Sequence, residues 1–136
     1  VRVTIRLGGQ LIVDTRDVVR VLETSHPPVY YLPIADFAAG ALADADGSSF
    51  CEFKGTARYL DVRGGGEVRS ACAWNYPHPS PGYELLQGRV AVYAQQMDEC
   101  TVDDEVVTPQ PGDFYGGWIT SAVVGPFKGV AGSLGW

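Results

Sequence analysis

At the start of the chain Val3, Ile5 and Leu7 fall on one side of an alternation, with Thr4 and Arg6 on the other. A period of two marks a half-buried strand. Gly8-Gly9 follows, then Gln10-Leu11-Ile12-Val13. Two glycines between such runs predict a two-residue hairpin, because the favoured turns need positive φ. Residues 18–23 (Val-Val-Arg-Val-Leu-Glu) read as a third strand, with a helical turn as the alternative. Pro27-Pro28 bars a central strand there, since proline has no N–H to donate, and leads into an extended stretch over Val29-Tyr30-Tyr31-Leu32. After Pro33, the spacing of Ile34, Phe37, Ala38, Ala41 and Leu42 predicts one short helix over 34–43.

Two runs, 56–63 and 67–76, flank Gly64-Gly65-Gly66 and predict a hairpin with a three-residue loop. Setting Arg63 opposite Glu67 places Asp61 opposite Arg69, two opposite-charge pairs on one face. The other face then carries Val62 against Val68, Leu60 against Ser70, Arg58 against Cys72 and Thr56 against Trp74, with Lys54 near Tyr76. Pro77, Pro79 and Pro81 end this pattern. One helical turn over 83–87, a strand over Arg89–Ala94 and a hairpin from Cys100 to Val107 turning at Asp103-Asp104 are expected next. From Thr108 the chain is rich in Gly and Pro but holds Phe114, Tyr115, Trp118, Phe127 and Trp136. A flexible linker would not carry so many aromatics, so the segment 108–136 is expected to dock on the body.

The 136 residues fit one domain, with 46% hydrophobic and 19% charged residues. The expected class is mainly β, with one or two short helices and a docked Gly/Pro-rich tail. A net charge of −6 argues against general binding to a nucleic-acid polymer, which relies on clustered cations. The three cysteines, Cys51, Cys72 and Cys100, show no disulfide-framework spacing and are expected to be reduced. No apolar run is long enough to span a membrane, and no signal peptide is evident, so a cytoplasmic location is expected.

The chain lacks a Walker-type loop, a dinucleotide fingerprint, a zincin helix, a Gly-x-Ser-x-Gly elbow and any Cys-x-x-Cys pair. Asp44-Ala45-Asp46-Gly47 resembles the opening of a calcium loop but misplaces its glycine, and is read as a surface turn. His26 and His78, the only histidines, adjoin prolines and read either as general bases or as loop anchors. Cys51 and Lys54 would point to opposite faces of a regular strand and meet only if the chain bends near Gly55. The hairpin register gathers Lys54, Arg58, Trp74 and Tyr76 over Leu60, Val62 and Val68. Two cations with two rings suit a flat ligand bearing negative charge, such as a nucleotide or an aromatic acid. The other reading keeps Trp74 and Tyr76 in the core while Lys54 and Arg58 extend to water. With Cys51 and Tyr31 added, these four form the candidate ligand-binding set. No catalytic residue is assigned, and neither a cofactor nor a metal is expected.

Several stretches resemble the family called domain of unknown function 427. They are Val21-Leu22-Glu23-Thr24-Ser25-His26-Pro27-Pro28-Val29-Tyr30-Tyr31, Cys51-Glu52-Phe53-Lys54-Gly55 and Ala73-Trp74-Asn75-Tyr76-Pro77. The tail from Val102–Pro109 to Val124–Gly129 resembles it as well. Glu52 stands where many relatives have Pro, and the Lys-Gly signature is intact. The resemblance implies a β-tent, two antiparallel sheets leaning together, in a fold group that includes aromatic-cage binding modules. Some members of that fold bind zinc through paired cysteines that this chain lacks. The family also carries a nucleotidyltransferase-like label, to which the residues add no two-magnesium arrangement. Three readings stay open: a small-ligand binding domain, an enzyme acting on a nucleotide or small metabolite with Lys54 assisted by Cys51 or His26, and a protein-interaction module that uses the aromatic tail. The oligomeric state is open too.

Overall fold

The computed structural model describes residues 1–23, 26–111 and 116–122. Within them lie β1 (Val3–Leu7), β2 (Gln10–Thr15), β3 (Val19–Val21), β4 (Val29–Pro33), β5 (Leu42–Cys51) and β6 (Gly55–Gly64). They are followed by β7 (Glu67–Asn75), β8 (Arg89–Val92), β9 (Glu99–Val102), β10 (Glu105–Val106), β11 (Thr108–Pro109) and β12 (Trp118–Ile119). All pairings are antiparallel. One sheet runs β10-β9-β1-β2, a second runs β3-β4-β8-β7-β6-β5, and β11-β12 form a small ribbon. The domain is mainly β, and its two large sheets close on one core, as a tent-like arrangement requires.

The alternation read at the start of the chain holds. Val3, Ile5 and Leu7 are fully buried and meet Leu32, Leu60, Val62, Val90 and Val92 from the second sheet. Neighbours in those strands point the other way. Tyr31, Ala57, Trp74, Tyr76 and Ala91 form a separate cluster on the outer face of the six-stranded sheet.

The first hairpin turns at Gly8-Gly9 with Leu7 opposite Gln10, and the acidic one at Asp103-Asp104, both in the left-handed region. The expected helix over 34–43 does not form. A single 3-10 turn spans Ile34–Asp36, and then Phe37 bridges to Val13 in extended backbone. Proline before the segment and Gly40 at φ +76° leave too little chain for a stable helix. Phe37 and Ala41 reach the core from an irregular path that mimics helical spacing. The turn near 83–87 appears as a 3-10 turn over Glu84–Leu86. Asp44–Gly47 is not a surface turn: it lies inside β5, where a break in register separates Asp44 from Ser48. This edge strand is so polar and exposed that the chain pattern did not announce it.

The central hairpin also departs from expectation. Its loop has two residues, Gly65 and Gly66, at φ +54° and +84°, with Gly64 opposite Glu67. The pairs are Arg63–Val68 and Val62–Arg69. Beyond an irregularity come Leu60–Ala73, Tyr59–Trp74 and Arg58–Asn75. Three residues of β7 there face one of β6, and Ala71, at φ +49°, donates its N–H to Asp61 Oδ1 at 2.8 Å. Shortening the loop by one residue turns every side chain of β7 to the other face relative to β6. The expected Asp61–Arg69 pairing, and Thr56 opposite Trp74, are thereby replaced.

The tail contributes structure as far as it is described. Trp118 is buried, stacks on Tyr30 at 5.0 Å between centroids, and donates its indole N–H to the Val92 carbonyl at 3.3 Å. Phe114, Tyr115, Phe127 and Trp136 lie outside the described residues.

The glycine turns of the two sheets touch one another. A Cβ on Gly65 would overlap the Gly8 carbonyl, whereas one on Gly66 would meet nothing. Gly65→Ala should therefore lose well over the roughly 1–2 kcal/mol that a left-handed alanine costs, and Gly66→Ala only about that amount. Urea denaturation of both variants checks this, and equal losses would contradict the close contact.

Candidate functional site

The outer face of the six-stranded sheet holds a cavity of about 160 Å³. Its walls are Tyr31 and Val29 from β4, Ala57 and Tyr59 from β6, Trp74 from β7 and Tyr76 just beyond it. Tyr93 closes one side, Gly116 covers the indole, and Glu23, Ser49 and Lys54 complete the lining. An engineered cavity of about 150 Å³ accepts benzene, so the space suits one ring.

The rings brace one another. Trp74 Nε1 donates to the Tyr31 hydroxyl at 3.3 Å, with the two rings edge to face at 6.5 Å. Tyr93 lies 4.7 Å from the indole and Tyr76 lies 6.4 Å from Tyr31. Gly116 is required at its position, because a Cβ there would overlap the Trp74 ring. Burial raises the Tyr31 hydroxyl above the ordinary phenol range and pushes Tyr76 up to about 12.

Lys54 stands in the turn between β5 and β6, with Cys51 paired to Gly55 across it. This bend brings Cys51 and Lys54 to one place. The Lys54 N–H donates to Cys51 Sγ at 3.4 Å, and Nζ lies 4.0 Å from the same sulfur. Lys54 is only 8% exposed, and its ammonium donates to Glu23 Oε1 at 2.7 Å. Its carbonyl accepts the Ser80 N–H at 2.9 Å. A lysine this buried stays charged at low cost only with such a partner.

The structure therefore gathers Lys54, Trp74, Tyr76 and Tyr31 around one cavity, with Cys51 beside the ammonium. Arg58 does not join them. It carries the inner-face parity of Leu60 and Val62, lies exposed past the end of the core, and lines a separate polar groove with Asp44, Asp46 and Ser48. The expected floor of Leu60, Val62 and Val68 is absent as well: the first two belong to the inner core and Val68 is exposed. Glu23, Tyr59 and Tyr93 were not anticipated. Glu23 sits in a stretch that carried the family resemblance, yet nothing in its spacing ties it to Lys54.

His26 lines a neighbouring cavity, its Nδ1 3.1 Å from Gln110 Nε2, and His78 is exposed. Among the described residues no three His, Cys, Asp or Glu side chains gather as a metal site would require, and no helix is long and apolar enough to cross a membrane.

These elements define an antiparallel two-sheet domain with an aromatic-walled cavity and one buried lysine at its edge. Residues 1–103 match the family model described as Domain of unknown function (DUF427), and the chain belongs to that family. A search of curated proteins gives no match.

Two outcomes follow from the burial pattern. Cys72 is buried and its thiol is pushed up to about 11, and burial raises Cys100 too, whereas Cys51 is partly open. Iodoacetamide should label Cys51 at least about tenfold faster than either, since access and the thiolate set the rate. Mass spectrometry showing equal labelling would contradict this. The native Tyr76 phenol keeps its proton where the unfolded chain, titrating near 10.0 as a free phenol does, releases it. The stability tied to that proton is complete below pH 10 and is lost as pH rises toward about 12. Urea midpoints should fall as pH rises from 10 to about 12, and less so in Tyr76→Phe.

Proposed function

We propose that this domain binds a small planar ligand in the cavity bounded by Tyr31, Trp74, Tyr76 and Lys54. The observation that carries the reading is the position of Lys54, a charged side chain held 92% out of water at the edge of a ring-lined space. A core would not need a cation there. A binding site would, because a few placed polar groups in an otherwise aromatic pocket orient a ligand. The walls come from rigid strands, and the rings are already in mutual contact, so little order has to be gained on binding. Tyr31, Tyr76 and Trp74 offer ring faces and edges, which suit an aromatic ligand.

An enzymatic reading has one observation of its own, the approach of Cys51 Sγ to Lys54 Nζ. A thiol that meets an ammonium at the edge of a cavity is the arrangement nucleophilic chemistry uses. Binding is the simpler reading, because it uses Tyr31, Trp74, Tyr76 and Lys54 together, whereas chemistry at Cys51 uses none of the rings.

Single-ring aromatic compounds should raise the melting temperature. At about 100 times Kd the rise should be roughly 5–10 °C for a chain of this size. Trp74→Ala should abolish the rise while the protein keeps its far-ultraviolet circular dichroism. A broad panel of such compounds with no shift would remove the proposal.

A further inference from the structure

The candidate ligand-binding set anticipates an anionic ligand for Lys54, but the side chain opposite it argues otherwise. Glu23 Oε1 lies 2.7 Å from Lys54 Nζ, and these two are the only charged residues lining the cavity among those described. The Lys54 side chain is 9% exposed and that of Glu23 47%, so the carboxylate stands on the solvent side of the ammonium. An entering anion would gain from Lys54 and lose to Glu23 in comparable measure, and would give up its own hydration. The pair is formally neutral, yet it presents an acceptor and a donor side by side. A ligand edge of matching pattern carries one N–H donor next to one carbonyl acceptor. That is the edge of a primary amide or a lactam.

Resting on the ligand-pocket reading above, we propose that Glu23 sets the specificity of the site: it masks Lys54 so that the cavity takes neutral aromatic amides and rejects aromatic carboxylates. The amide N–H donates to the Glu23 carboxylate, and the amide oxygen accepts from the Lys54 ammonium. The ring lies among Tyr31, Trp74 and Tyr76. Charge-assisted bonds of both kinds are the stronger class of hydrogen bond, and here one ligand makes two of them without bringing charge of its own. Removing the mask should invert the preference. In Glu23→Gln the ammonium loses its counter-charge and becomes the recognition group for an anion.

Benzamide and benzoate have nearly the same shape and differ in charge, so they isolate the effect. Their affinities are read by tryptophan fluorescence and thermal shift on the full chain, in the wild type, Glu23→Gln and Glu23→Asp. The wild type should bind benzamide at least about tenfold more tightly than benzoate, in line with the loss of one charge-assisted contact. Glu23→Gln should reverse the order, and Glu23→Asp, which keeps the carboxylate, should retain it. Wild type that binds benzoate as well as benzamide, or an order unchanged in Glu23→Gln, overturns the role of Glu23 while leaving the pocket in place. No binding of either probe by any of the three proteins overturns both. A Glu23→Gln protein that fails to fold leaves the wild type and Glu23→Asp to decide, since both must show the amide preference.

Discussion

The two-residue turn at Gly65-Gly66 determines more of this molecule than any other element. Its positive φ angles set Gly64 opposite Glu67, and that pairing decides which face of the sheet each residue of β7 occupies. Leu60 and Val62 go inward to meet β1, and Trp74 and Tyr76 go outward to line a cavity. The same turn touches Gly8 across the apex of the two sheets, where any side chain would intrude. Register and sheet closure are thus the consequence of one short run of glycine.

The bulge that follows acts on this register without reversing it. Two extra residues on β7 preserve the parity, so Arg69 and Ala73 both stay on the side of Val62 and Leu60. Their effect is to shift β7 along β6 and to place Trp74 beside Tyr59. Asp61 stabilises the distortion by accepting the Ala71 N–H, a bond that the regular ladder would not make. Asp61 therefore holds backbone, not Arg69 as the charge pattern suggested.

Much of the fold was legible because the inward positions of β1, β2, β4 and β8 are strongly apolar and their turns are chemically marked. Val3, Ile5, Leu7 and the Gly8-Gly9 turn leave little freedom of interpretation. The errors fall where two local signals compete. Three consecutive glycines allow a loop of two or of three residues, and charge pairing between Asp61 and Arg69 favoured the wrong one. Ile34 to Leu42 has helical spacing, but the chain there is pinned by Pro33 and drawn into the Val13–Phe37 bridge. The candidate site was legible in part for a related reason. Lys54 lies in a turn, outside the ladder, so its position survived the register error, and Tyr31 met Trp74 from another strand. Arg58 lies within the ladder and was carried away by it. Glu23 could not be foreseen, since its partnership with Lys54 joins residues 31 positions apart through the tertiary fold.

The turn that carries Lys54 explains why a buried cation is tolerable in this chain. Its N–H meets the Cys51 sulfur, its carbonyl takes the Ser80 N–H, and its ammonium meets Glu23. With the backbone fixed on both sides, the side chain gives up its freedom during folding, and the ion pair offsets part of that cost. Packing of this kind separates the two faces of one sheet into two clusters of different character. The inner face spends its apolar residues on closing the core. The outer face holds five rings and one ion pair around a space that no side chain fills.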